Sequence, residues 1–240
     1  MMKKLLILLS VLLLCGCTKP VDHGHPVQGC DLVEDCGDDH KTDHLSFKDA
    51  YEALNGQTNA AGKEHRSITI PEENPFVEVS PAEIIDKLNN KETFYLYVGD
   101  EMCPWCRSVI EEAIAIASEA SVKTIYYIQI WDDDHNEVFR DQYKYEDGEL
   151  KQVVEGIPEY HELLERWGNV LADYTLTVDG EEIEVGEKRI YAPNFFYVEN
   201  GECIRFTTGI SEMQEDARAE LDEQILKDEE AQFKAFFGVN

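Results

Sequence analysis

The sequence predicts an α/β domain in which a central mixed sheet is flanked by helices. Residues 93–98 and 123–131 are continuous apolar and aromatic runs, which are typical of strands buried on both faces of a sheet. Between them, apolar residues from Val109 to Ala117 recur at helical spacing. Buried strands that alternate with amphipathic helices indicate a sheet covered by helices.

Local signals predict the elements that precede these strands. Ser46 is expected to begin an amphipathic helix, because apolar residues follow it three to four positions apart and Asp49 completes a box-like cap. Residues 76–79 have the composition of a short strand. Ser80 and Pro81 then fit the N-cap and the first position of a second helix.

Residues 132–188 are predicted to form an insertion. Within it, Pro158 is placed to start a helix, and Asp179-Gly180 favours the tight turn of a hairpin. Strand signals return at residues 194–198, in the first half of a second hairpin. Gly209 and Ser211 are expected to introduce a terminal helix.

The charge balance limits the partners of the chain. It has 50 acidic and 21 basic residues, and its formal net charge is −29 at pH 7. Such a charge repels phosphate backbones and anionic lipid surfaces. Nucleic acid is therefore not an expected partner, and membrane attachment would need a lipid rather than electrostatic attraction.

Residues 1–16 have the pattern of a secretory signal peptide. Lys3 and Lys4 precede an apolar run, residues 5–14, that is too short to cross a bilayer. The run ends in Leu-Cys-Gly-Cys, which resembles a bacterial lipobox, and Cys17 matches the cysteine that is lipidated after cleavage. We expect an extracytoplasmic protein that is lipid-anchored to the cell membrane. An ordinary secreted protein, cleaved nearby, is the alternative.

Residues 17–45 lack apolar periodicity and are predicted to be a flexible tether between the anchor and a domain at 46–240. Cys30 and Cys36 lie in this tether among several histidines. These side chains could bind zinc or copper, whereas a local disulfide or two spare thiols are the simpler alternatives. Because the spacing fits no standard zinc module, no metal site is assigned. The histidines are His23, His25, His40 and His44.

Cys103 and Cys106 are the candidate catalytic residues. Only Pro104 and Trp105 separate them, and the pair lies between a predicted buried strand and a predicted helix. A helix N-terminus offers unpaired N–H groups and the positive end of a dipole, which stabilise a thiolate. We expect Cys103, at the exposed tip, to attack a disulfide and Cys106 to resolve the mixed disulfide. Trp105 is expected either to contact the substrate or to pack in the core.

Two cysteines at this spacing have other uses. They could bind a metal or close a structural disulfide. Zinc needs two further ligands, and the sequence of the predicted domain has no second pair at a matching spacing. The pattern therefore favours redox chemistry, for which no cofactor is expected.

The Cys-Pro-Trp-Cys sequence between strand and helix resembles the active site of the thioredoxin superfamily. The predicted element order is similar to that family over residues 76–237, apart from the insertion. The resemblance implies a thioredoxin-like fold and a Cys103–Cys106 disulfide that alternates with the dithiol. It also implies a cis bond at Pro193, which with the Ala192 backbone would shape a groove for substrate peptides. More narrowly, the chain resembles thioredoxin-like lipoproteins of Gram-positive bacteria.

One position departs from the family pattern. Where many thioredoxins bury an aspartate on the strand before the motif, this chain has Tyr97. Asp100 or Glu101 in the following loop could take the place of that aspartate, although loop carboxylates are expected to face solvent. The general acid or base is therefore left unassigned. Cys203 is expected to be a buried apolar residue, with a third redox thiol as the alternative.

The leading functional hypothesis is thiol–disulfide exchange with protein thiols or disulfides, with an unidentified partner resetting the cysteine pair. The reduction potential decides whether such a protein donates or withdraws electrons, and the sequence does not contain it. One alternative is a binding module that holds a peptide or assists an exporter, with structural cysteines. Another is metal capture by the His/Cys tether.

Overall fold

The chain is described in a computed structural model over residues 40–131 and 136–239, with side chains described from Phe47 onward. These residues form five helices and nine strands. They are α1 (His40–Ala53), β1 (Phe76–Glu78), α2 (Pro81–Asn89), β2 (Phe94–Gly99), α3 (Pro104–Glu119), β3 (Ile125–Gln129), β4 (Gln142–Glu146), β5 (Glu149–Val154), α4 (Pro158–Trp167), β6 (Ala172–Val178), β7 (Glu181–Arg189), β8 (Asn194–Glu199), β9 (Glu202–Thr207) and α5 (Glu223–Phe237).

The centre of the fold is a five-stranded mixed sheet in the order β1-β3-β2-β8-β9. β1 and β2 run parallel to β3, whereas β8 pairs antiparallel with β2 and β9 antiparallel with β8. β2 therefore has neighbours on both sides, and the chain leaves it directly towards the two cysteines. The predicted mixed sheet flanked by helices is confirmed.

Helices cover both faces of the sheet. Because side chains alternate along a strand, Tyr97 and Leu96 point to opposite faces. Tyr97 lies in a buried cluster with residues of α1, α3 and α5. Leu96 lies in the other cluster, with residues of α2 and α4. There the ring of Trp167 stacks on Phe196, with centroids 4.5 Å apart. These two cores explain why the central strands are apolar throughout.

Two of the predicted helix starts are wrong. α1 begins at His40, so Ser46 lies inside the helix and residues 40–45 of the predicted tether are helical. No glycine or proline lies between these positions to stop the helix from extending upstream. α5 begins at Glu223, well after Ser211, because the Ser211 hydroxyl accepts the Met213 N–H in a local turn.

Between β3 and β8 the chain forms α4 and two hairpins. The predicted helix from Pro158 and the hairpin turning at Asp179-Gly180 are both present. The hairpin of β4 and β5 was missed, although its turn at Asp147-Gly148 has the same Asp-Gly signal. Both residues of that turn have positive φ, 56° and 82°, which favours this dipeptide.

The N-terminal predictions lie outside the described residues. These are the signal peptide at 1–16, the lipidation site Cys17, and the cysteines of the tether, Cys30 and Cys36. None of the helices described here combines the length and apolar character needed to cross a membrane.

Candidate active site

One buried carboxylate shapes the turn between β2 and α3. Asp100 follows the last residue of β2 and is only 3% exposed. Its Oδ1 atom accepts hydrogen bonds from the backbone N–H groups of Met102 (2.6 Å) and Cys103 (3.0 Å). Cys103 thereby reaches the N-cap position of α3, and Pro104 occupies the first turn, where no N–H is needed.

The half-buried thiol of Cys103 lies between α3 and the segment before β8. It donates a hydrogen bond to the carbonyl oxygen of Ala192 at 3.3 Å. Its sulfur accepts the backbone N–H of Cys106, also at 3.3 Å. The Ala192–Pro193 peptide bond is cis, as predicted. The tertiary structure therefore brings both cysteines together with Ala192 and Pro193.

Cys106 is fully buried. Burial raises the pKa of its thiol well above the usual range, and the hydrogen bond with Cys103 and the charge of Asp100 raise it further. A hydrogen bond with Tyr97 opposes this rise. Both cysteines of the pair are free thiols in this structure, so the Cys103–Cys106 disulfide stays a prediction.

The residue that approaches Cys106 from the sheet is a tyrosine. The hydroxyl of Tyr97 lies 2.8 Å from that of Tyr51, and both side chains are completely buried. Burial raises the pKa of both phenols well above the usual range, so both remain protonated at neutral pH. Cys106 thus has a neutral hydrogen-bond donor beside it. Gly99 leaves room for this ring, since a Cβ there would lie 2.1 Å from the Tyr97 hydroxyl oxygen.

The expectation that the loop carboxylates face solvent is wrong. Asp100 and Glu101 are 3% and 7% exposed. Burial raises the pKa of Asp100, and the backbone hydrogen bonds that shape the loop partly oppose this rise. Glu101 accepts a hydrogen bond from the amide of Gln129 at 3.2 Å. Each carboxylate accepts hydrogen bonds from neighbouring polar groups, and these bonds offset part of the cost of its burial.

Arg107 is a buried cation that the sequence analysis missed. Its guanidinium donates to the carbonyl oxygens of Tyr51 (2.7 Å), Arg66 (2.5 Å) and Glu101 (3.1 Å), and to the side chain of Asn55 (2.8 Å). It joins the start of α3 to α1 and to the segment before β1. A charged residue in a helix is ordinarily expected at the surface, so only the long-range contacts reveal this role.

An apolar groove of about 480 Å³ lies next to the cis-proline segment. Trp105 lines it together with Ala192 and Pro193. Trp105 is half-buried, so part of its side chain packs against the protein and part is exposed at the groove. The remaining lining residues are mostly apolar and include Leu171, Phe206 and Ile210.

Cys203 lies apart from this site. It is half-buried on β9 and packs against the core that contains α2 and α4, whereas Cys106 lies in the core on the opposite face. Burial raises the pKa of Cys203 to about 11. An un-ionised thiol on the other face of the sheet favours the packing role over a third redox thiol.

The described ranges, 40–131 and 136–239, hold no group of three or more His, Cys, Asp or Glu side chains placed to bind a metal ion. A comparison with protein-family models found no match for this chain, and a comparison with curated proteins also found none.

Proposed function

We propose that this protein is a thiol–disulfide oxidoreductase whose domain is a variant of the thioredoxin-like fold, with residues 132–188 as an insertion. The observation that carries the proposal is the position of the Cys103 thiol. It caps α3, accepts the Cys106 N–H, and lies 3.3 Å from the carbonyl oxygen that precedes a cis-proline. In such surroundings the Cys106 N–H and the N-terminus of α3 can stabilise a thiolate, and the Ala192–Pro193 segment borders a groove for a peptide.

Exchange proceeds in two steps that need no cofactor. The Cys103 thiolate attacks one sulfur of a substrate disulfide, that S–S bond breaks, and one substrate thiolate departs. Cys106 then loses its proton and attacks the Cys103 sulfur, which releases the second substrate thiolate and leaves a Cys103–Cys106 disulfide. The departing thiolates take up the protons, and the substrate gains two electrons. The reverse sequence oxidises a substrate dithiol.

The environment separates the roles of the two cysteines. Cys103 is half-buried and bonds to Ala192, which lines the apolar groove, so it is the sulfur that a protein substrate can reach. Cys106 is fully buried, and burial raises its pKa. Its thiol therefore stays protonated until the mixed disulfide forms beside it, which limits attack on other disulfides. Tyr97 supplies a hydrogen bond to the thiolate when it does form.

The proposed location rests on the sequence alone. We propose that Cys17 is lipidated and holds the domain at the outer face of the cell membrane, and that a separate redox protein resets the cysteine pair. Replacement of Cys17 by Ser should release the protein from washed membranes into the soluble fraction. A variant that stays in the membrane fraction would contradict the lipid anchor and leave the redox proposal intact.

Reduction of insulin disulfides and refolding of a reduced, unfolded substrate protein test the redox proposal directly. We expect Cys103→Ala to abolish both activities and Cys203→Ala, the matched control, to retain them. In the native host, Cys106→Ser should accumulate mixed disulfides through Cys103, which identifies substrates. Equal rates for wild type and Cys103→Ala would refute the enzymatic role.

The apolar groove supports a second candidate, a binding module that holds a peptide or assists an exporter. Its lining by Trp105, Phe206 and Ile210 is suited to an extended apolar segment whether or not the cysteines turn over. Peptide binding that survives Cys103→Ala together with absent exchange activity would favour this candidate.

A further inference from the structure

A second cleft of about 480 Å³ opens beside Cys103. Two arginines, Arg140 and Arg189, line it, and Ala192 lines both this cleft and the apolar groove. The two cavities therefore meet at the cis-proline segment next to the reactive sulfur. A substrate peptide bound across that segment would place the residue before its cysteine in one cavity and the residue after it in the other.

The two arginines are buried, and both contact the same carboxylate. Their side chains are 8% and 9% exposed. Glu137 Oε1 contacts Arg140 Nε at 2.5 Å and Arg189 Nη2 at 3.2 Å. In the part of the chain that the structure describes, Glu137 is the only carboxylate at ion-pair distance from either guanidinium. Asp100 also lines the cleft. Its Oδ1 atom accepts two backbone N–H groups of its own loop, and the charge of Arg140 opposes the rise that burial causes in its pKa.

Neutral groups hold both guanidiniums in place. Arg140 donates to the carbonyl oxygen of Ile190 at 3.1 Å, and Arg189 donates to that of Asp141 at 2.6 Å. The Arg189 guanidinium also lies 4.1 Å from the centre of the Tyr174 ring. Among the described residues, two fixed guanidiniums therefore line the cleft and share one carboxylate at ion-pair distance. Buried charges are stable when paired, and a planar guanidinium pairs best with a carboxylate.

We propose that this cleft binds a carboxylate of the substrate, so that preferred substrates have an acidic residue next to the reacting cysteine. The proposal rests on the exchange chemistry assigned to Cys103 and names its substrate class. The net charge of −29 predicts the opposite order, because the long-range field of the chain attracts cationic peptides. The dependence of the exchange rate on substrate charge therefore distinguishes an effect of the cleft from an effect of the protein's long-range field.

The test uses peptide disulfides that differ in one residue. Symmetric disulfides of short capped peptides carry Glu, Gln or Lys directly before or directly after the single cysteine. The purified protein, with its cysteine pair reduced, is mixed with each peptide, and released peptide thiol is measured over time. We expect the Glu peptide of one series to react about tenfold faster than the Gln peptide, with Lys slowest. The preference should persist in salt that screens the long-range field.

Three variants examine the source of the preference. Arg140→Met and Arg189→Met should each reduce the Glu-to-Gln ratio towards one, whereas Arg166→Met, an exposed arginine of α4, should leave it unchanged. Glu137→Gln removes the shared carboxylate and should raise the ratio, which keeps the proposal testable if an arginine variant fails to fold.

Each outcome has a distinct meaning. If no peptide reacts, the exchange function is wrong. If all peptides react at equal rates, or in the order Lys, Gln, Glu, the exchange function stands and the carboxylate site is overturned. A Glu preference that survives both arginine variants also overturns it.

Discussion

Glu229 on α5 is a buried carboxyl group whose removal should stabilise the protein. The side chain is fully buried, and neither carboxyl oxygen has a hydrogen-bond partner among the residues that the structure describes. Burial, and then the charge of Glu112, raise its pKa from 4.5 to about 7, against an opposing effect of Arg66. The folded state therefore holds a proton on Glu229 that the unfolded state loses near pH 4.5.

The sign and size of the effect follow from this difference. Because the folded state binds more protons between these two pKa values, the free energy of unfolding falls as the pH rises from about 4.5 to about 7. At about 1.4 kcal/mol per pKa unit, the loss is at most about 3 kcal/mol and is complete above the folded-state pKa. In a domain of this size it corresponds to a fall in Tm of roughly 10 °C.

Glu229→Gln keeps the shape of the side chain but cannot ionise. We expect wild type and variant to be equally stable at pH 4.5, and the variant to be more stable by up to about 3 kcal/mol at pH 8. Urea unfolding of both proteins, followed by circular dichroism at several pH values, measures the difference. Glu230→Gln is the matched control, because Glu230 is partly exposed and paired with Lys234, and it should change stability by less than about 1 kcal/mol. A difference between Glu229→Gln and wild type that is independent of pH would refute the reasoning.

Three further predictions concern the cysteine site. Iodoacetamide should modify Cys106 at least about 100-fold more slowly than Cys103 in the folded protein, because burial raises the pKa of Cys106. Mass spectrometry of digests measures the two labelling rates, and equal rates would contradict the prediction. Tyr97→Phe removes a hydrogen bond that lowers the Cys106 pKa, so mixed disulfides on Cys103 should decay more slowly. The free energy of unfolding should also fall by about 1–3 kcal/mol, because the Tyr51 hydroxyl loses its partner. Arg107→Met should destabilise the protein by about 3 kcal/mol or more in urea unfolding, since four carbonyl or amide groups lose their donor; a loss below about 1 kcal/mol would contradict the anchoring role.

Local patterns in the sequence determined much of the architecture. Apolar runs identified the central strands, and Pro81, Pro104 and Pro158 marked helix starts within a residue. These signals are short-range, because a strand buried on both faces or a proline in a first turn depends on neighbours along the chain. The β4–β5 hairpin was not predicted, although its turn has the same local Asp-Gly signal at Asp147-Gly148.

The chemistry around the thiols was decided by tertiary contacts. Tyr51 meets Tyr97 from a distant helix, and Arg107 is buried because carbonyl groups of three separate segments converge on it. Arg140 and Arg189 share Glu137 only because the chain between β3 and β8 folds back on itself. From the sequence, charged residues are expected at the surface. The cost of burying them is offset only where the folded chain supplies hydrogen-bond or ion-pair partners. The sequence by itself therefore determined where the two cysteines lie relative to β2 and α3, and the tertiary structure decided which polar groups surround them.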